Sequence, residues 1–176
     1  TPPRSYDQND LLLFEGAWPR TRPQVLTEGR DLAVGETTSS DNHPPRGGGA
    51  LPLAFTDDGG LLFAYAHHGS TRLARCDLAS GHVDELTGPA DDVVCGSANA
   101  DGSHVALTMG SVKTPGDLWV CDVRARRLTR LFGPNDALLA GSNLGEVEEF
   151  GYDSFDGRRV QGWIVRPAGF DPAKKY

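Results

Sequence analysis

The feature that most constrains this chain is that it repeats itself. The run Phe55-Thr56-Asp57-Asp58-Gly59-Gly60-Leu61-Leu62-Phe63-Ala64-Tyr65 returns as Ala98-Asn99-Ala100-Asp101-Gly102-Ser103-His104-Val105-Ala106-Leu107-Thr108, with the two Asp-Gly pairs 43 residues apart. Downstream, Leu73-Ala74-Arg75-Cys76-Asp77-Leu78 matches Leu118-Trp119-Val120-Cys121-Asp122-Val123 at an offset of 45, and Leu86-Thr87 matches Leu131-Phe132 at the same offset. The two-residue drift falls around 67–71 and 110–116, between strand-like runs, where a structural repeat tolerates a change in length. A partial copy opens the chain: Asp10-Leu11-Leu12-Leu13-Phe14-Glu15 is similar to Asp117–Asp122, and Val25-Leu26-Thr27 to the closing strand. Each copy reads as about four short strands, with Asp-Gly supplying a hairpin turn because Gly tolerates the positive φ such turns need. That period and strand count are those of a β-propeller blade, whose small sheet has two apolar faces that neighbours must cover. A β-sandwich is the alternative, but it has no need of the same residue types at matching offsets.

Composition agrees. Gly 22 and Pro 12 in 176 residues exceed the average share, which favours a turn-rich all-β chain. A net charge of −7 leaves no basic stripe to neutralise phosphates, so nucleic acid is not an expected partner. Arg124, Arg126, Arg127 and Arg130, the densest basic group, read as the solvated side of a strand or turn. No run of 18 apolar residues argues for a membrane span, and the N-terminus has no signal-peptide pattern. The cysteines, at 76, 95 and 121, form neither a disulfide framework nor a zinc pattern, and a reducing cytoplasm is the simplest expected location.

The expected domain plan is a partial blade at 1–28, a blade at 29–88, a blade at 89–134, a crossover at 135–149 and a hairpin at 150–176. Glu15 and Asp77 are 62 residues apart rather than 45, so the second unit carries an insertion, placed at the polar, Pro/Gly-dense loop 39–49. Ordered loops on a rigid scaffold often carry function. If that loop borders a ligand channel, Arg46 and His43 are the candidates for lining it. Two and a half repeats are fewer than the four to eight blades of a closed ring, so the chain is expected to be an arc of a larger molecule.

Catalytic motifs are few. There is no Gly-x-Ser-x-Gly; Gly141-Ser142-Asn143-Leu144-Gly145 has the wrong spacing, and Gly47-Gly48-Gly49 lacks the Lys-Ser/Thr of a phosphate loop. His67-His68 reads as the end of a strand, where successive side chains point to opposite faces and do not readily chelate one ion, so no metal and no cofactor are expected. Cys76 and Cys121 share a repeat position and a face with Ala74 and Leu78, and with Trp119 and Val123, as small buried hydrophobes do. Asp77 and Asp122 recur at a strand end, which points to a turn-capping role, since a catalytic acid is needed once.

The tail carries a resemblance. Gly145-Glu146-Val147-Glu148-Glu149-Phe150, then Ser154-Phe155-Asp156-Gly157 and Gln161-Gly162-Trp163-Ile164-Val165-Arg166-Pro167, read as two strands joined by an Asp-Gly turn. They resemble the propeller-to-hydrolase junction of the prolyl oligopeptidase family, in its acylaminoacyl-peptidase-like branch; Leu26-Thr27-Glu28-Gly29 and Ser40–Arg46 are similar to bacterial members. The resemblance implies an all-β arc of a seven-bladed propeller followed by the first hairpin of an α/β-hydrolase domain. It also implies a serine peptidase that removes N-terminal, often N-acylated, residues from short peptides, with the propeller gating access. The nucleophile, its acid and base partners and the oxyanion-hole segment match no position here, so no catalytic residue is assigned to this chain. The implied partners are further blades and the hydrolase domain of the same enzyme, with homo-oligomerisation left open. A protein-interaction propeller with no catalytic role is the alternative.

Overall fold

A computed structural model describes residues 7–16, 22–38 and 50–176, which divide into two compact units, Thr1–Gly133 and Pro134–Tyr176. The described residues of the first unit form three antiparallel sheets. Strands β1 (Leu12–Leu13) and β2 (Gln24–Val25) form a two-stranded sheet. The second sheet is built from β3 (Ala33–Val34), β4 (Leu53–Thr56), β5 (Gly60–His67), β6 (Ser70–Asp77) and β7 (Val83–Glu85). In the third, β8 (Asp92–Ala98), β9 (His104–Ser111), β10 (Thr114–Asp122) and β11 (Arg127–Phe132) follow one another as successive neighbours. The repeat read from the sequence is thus a repeat of sheets, with Asp58-Gly59 and Asp101-Gly102 at the turns entering β5 and β9, both glycines at positive φ.

The second sheet is four strands wide although five segments build it. Strand β6 pairs along the whole length of one edge of β5, so β3 and β4 share the other edge. Ala33 and Val34 lie opposite Ala66 and Tyr65, Gly35 N–H donates to the Ala64 carbonyl at 2.9 Å, and Leu53 then lies opposite Phe63. Residues 36–52 therefore leave and re-enter what is otherwise one continuous strand. They number 17, the same excess by which the Glu15–Asp77 spacing passes the 45-residue period.

Alternation along the strands sends side chains into two cores. Leu62 and Leu73 on one face of the second sheet pack with Val93, Val105, Leu107, Met109, Cys121 and Val123 of the third. Phe63, Tyr65, Ala74 and Cys76 on the opposite face pack with Leu11, Leu26 and Leu32. Phe63, Tyr65, Leu62 and Leu73 are at most 1% exposed, and burial of such a side chain stabilises by about 1.5–3 kcal/mol. The middle sheet is covered on both faces, as the amphipathic repeat demands.

The closing strands share one hydrogen-bond device. Leu26 N–H donates to the Leu11 carbonyl while Thr27 Oγ1 accepts from Leu11 N–H at 3.0 Å. Leu86 N–H donates to the Leu73 carbonyl while Thr87 Oγ1 accepts from Leu73 N–H at 3.0 Å. In the third sheet Phe132 stands at the Thr position, and it lies opposite Leu118, beside a bulge between Leu118 and Trp119. The length drift is local too: β5 and β6 join through the two-residue turn His68-Gly69, whereas the start of β10 carries a register shift between Thr114 and Asp117.

The second unit contains a single helical turn, α1 (Asp136–Leu139), and the hairpin of β12 (Val147–Asp153) and β13 (Arg159–Val165). Strand β12 starts three residues before the expected boundary at 150. Gly157, at φ +79°, makes the Asp-Gly turn, and Ser154 N–H donates to the Arg158 carbonyl at 2.8 Å. Phe150 lies opposite Gly162 and covers it: a Cβ there would come within 2.6 Å of the ring. Trp163, Ile164 and Tyr152 remain about half exposed.

Candidate functional site

Arg46 and His43, like the rest of loop 39–49, lie outside the described residues, but both ends of the 17-residue excursion are described. On departure, Thr38 N–H donates to Thr71 Oγ1 at 2.9 Å and Thr38 Oγ1 donates to Asp92 Oδ1 at 2.7 Å. Thr71 N–H reaches the same Asp92 oxygen at 3.2 Å, so one carboxylate ties the stem, β6 and the first residue of β8. On return, Gly96 N–H of β8 donates to the Ala50 carbonyl at 3.1 Å, and Leu51 packs against the larger core. A Cβ on Gly96 would meet Pro52 Cγ at 2.8 Å, so glycine is what lets the returning chain lie on β8. Both stems are anchored where the second and third sheets meet. Beside the return stem lies an open hollow of about 280 Å³, lined by Ala50, Cys95, Gly96, Ser97, Thr108 and Leu118 among others.

The recurring aspartates are caps. Asp77 Oδ1 accepts from Ser80 N–H at 2.8 Å and from Ser80 Oγ at 2.6 Å, and Asp122 Oδ1 accepts from Ala125 N–H at 2.9 Å. These hydrogen bonds hold both carboxyls below the usual carboxylate range. Gly81 and Arg126 take the same repeat position in these turns, and both have positive φ. The recurring thiols are core: Cys76 and Cys121 are fully buried, and burial pushes Cys121 up to about 11. Arg126 and Arg127 are solvated, as expected of the basic group, while Arg130 reaches inward to Asp117 at 2.7 Å. The contact between Ser103 Oγ and His104 Nδ1, 2.9 Å, sits on an exposed hairpin turn, and among the described residues no carboxylate is hydrogen-bonded to the ring's other nitrogen.

The reading of His67 and His68 requires correction. Only His67 belongs to β5; His68 is the first residue of the two-residue turn, at φ +46°, followed by Gly69 at φ +71°. Two successive positive φ values define a type I′ turn, which swings His68 out of the strand's alternation. Instead of pointing apart, the rings stack at 3.9 Å between centroids with 16° between planes. The sequence signal is weaker than Asp-Gly: His-Gly follows the apolar run of β5, and His is among the non-glycine residues enriched in left-handed backbone. His67 continues the row Phe63–Tyr65–His67 along one face of β5. Opposite the turn lies Asp31, because the β3–β5 register carried outward from Ala33↔Ala66 brings Asp31 level with His68. Asp31 Oδ2 is 3.6 Å from His68 Nε2, and Gln8 Nε2 donates to Asp31 Oδ1.

Stacked four-stranded antiparallel sheets, each packed through both faces or one, define a β-propeller arrangement. No protein-family model and no curated protein sequence matches the chain. Among solved structures it is similar to an acylaminoacyl peptidase in complex with Z-Gly-Gly-Phe-chloromethyl ketone, with TM-score 0.68 and 16% identity over 99% of this chain and 24% of that one. It is similar to the Pyrococcus horikoshii acylaminoacyl peptidase with TM-score 0.67 and 16% identity, over 99% of this chain and 24% of that one. A putative dipeptidyl aminopeptidase IV from Bacteroides ovatus matches with TM-score 0.57 and 18% identity, over 88% of this chain and 20% of that one. These are enzymes of the prolyl oligopeptidase family, so the resemblance carried by the tail is matched in fold across most of the chain. The chain spans about a fifth to a quarter of the length of these enzymes.

Proposed function

We propose that this chain is the non-catalytic propeller portion of a serine peptidase of the prolyl oligopeptidase family, together with the first hairpin of its α/β-hydrolase domain. The observation that carries the reading is the order of parts: insertion-bearing propeller sheets, then a short linking segment, then an aromatic hairpin. Similarity in fold to an acylaminoacyl peptidase over 99% of this chain supports that reading. The parent ring is seven-bladed and the enzyme cytoplasmic, acting on aminoacyl or N-acylaminoacyl ends of short peptides while the propeller restricts access. Its partners are the other blades and the hydrolase domain, against which Trp163 and Ile164 pack. Arg46 and His43 line the substrate path, a reading supported by the anchoring of both ends of their loop where two sheets meet.

The test is to express the complete product of the gene beside the 176-residue chain and treat both with a serine-directed fluorophosphonate and an N-acyl-aminoacyl anilide. The complete product is expected to label and to turn over, and the 176-residue chain to do neither. A folded complete product that does not label would overturn the peptidase reading and leave the interaction propeller. An adduct on the 176-residue chain would overturn the division of labour.

A further inference from the structure

We propose that Asp31, His67 and His68 form a binding site for a divalent transition-metal ion of the zinc class, stapling the segment before β3 to the β5–β6 turn. One donor atom from each residue lies within 4.8 Å of the other two. Zinc holds nitrogen and oxygen donors at about 2.0–2.2 Å, so tetrahedral coordination needs donors roughly 3.3–3.6 Å apart. The contraction of about 1 Å is available from side-chain rotation, because the His68 and Asp31 side chains are 61% and 67% exposed. Two imidazoles and one carboxylate leave a fourth position for water, the donor set borderline divalent ions prefer.

Two further observations point the same way. His67 Nδ1 is shut off from solvent and has no hydrogen-bond partner among the described residues, and such buried polar atoms ordinarily have one. Asp31 is oriented by Gln8 at one oxygen, the outer-shell arrangement that aims a ligating carboxylate. Arg72, the cation closest in chain to the pair, is engaged by Glu85 at 3.3 Å and by Ser70 Oγ at 2.9 Å. The site lies four residues before Gly35, where the excursion 36–52 departs, so an ion here would stiffen the root of that segment.

The test is calorimetric titration of zinc chloride into the untagged chain under reducing conditions, repeated with His68→Asn and Asp31→Asn. Asn tolerates left-handed backbone, so the first variant keeps the turn. Expected are a one-to-one isotherm for the parent and at least tenfold weaker binding for each variant. Cobalt(II) should give a visible spectrum without a thiolate charge-transfer band. Undiminished binding in the variants, a thiolate band, or no binding by the parent would overturn the proposal.

Discussion

Gly102 and Gly59 occupy the same turn in successive sheets, and replacing each by alanine separates local backbone strain from packing between sheets. Both have positive φ, +69° and +81°. Left-handed backbone costs an L-residue about 1–2 kcal/mol, and this applies equally to both. Around Gly59 a Cβ meets nothing within 4 Å. At Gly102 it would lie 2.7 Å from Thr56 Cγ2, 2.8 Å from the Phe55 carbonyl oxygen and 2.9 Å from Thr56 Cα. Two of those three atoms are backbone and cannot rotate away, so the second and third sheets must separate locally. The hydrogen bond from Asp57 N–H to the Asp101 carbonyl, 3.0 Å, crosses the same gap and would stretch. Overpacking costs about 1–3 kcal/mol and a weakened hydrogen bond about 1 kcal/mol. Gly59→Ala should therefore lose about 1–2 kcal/mol and Gly102→Ala about 3–6 kcal/mol. Urea unfolding followed by far-ultraviolet circular dichroism reads both as midpoint shifts. Equal losses, within about 0.5 kcal/mol, would refute the close approach of the two sheets.

Three other outcomes are expected. Thr87→Val, isosteric but without the hydroxyl, strands the buried Leu73 N–H and should destabilise by about 1–3 kcal/mol in the same assay, with Thr87→Ser close to the parent. In a thiol-exchange assay at pH 8, Cys95, partly buried, should react in the folded chain, whereas Cys76 and Cys121, fully buried, should react only on unfolding. Asp77 and Asp122 are held below the ordinary value of 3.8, so they contribute stability that is present above that value and lost as pH falls through their lower folded values. The double variant Asp77→Asn, Asp122→Asn should accordingly be less stable at pH 7 and show a shallower acid limb in urea midpoints measured from pH 6 to pH 2.

Sequence reasoning reached the sheets because their signals are local. Asp58-Gly59, Asp101-Gly102 and Asp156-Gly157 specify turns through backbone freedom, Asp77 and Asp122 cap residues three positions on, and the cysteines are placed by alternation. All of that is written within a dozen residues of where it acts. Even the excess of 17 residues was legible as a count. What the tertiary structure decided is where the count applies. Segments β3 and β4 are one strand cut open, because both find hydrogen-bond partners on the same edge of β5. The structure also decided which way His68 points, since one left-handed residue overrides the alternation a strand would impose. Asp31 reaches the histidines, and Gly102 reaches Thr56, only because register and sheet packing join residues more than 35 positions apart. Pairing across such distances depends on how far the chain between them strays, and local sequence does not record that.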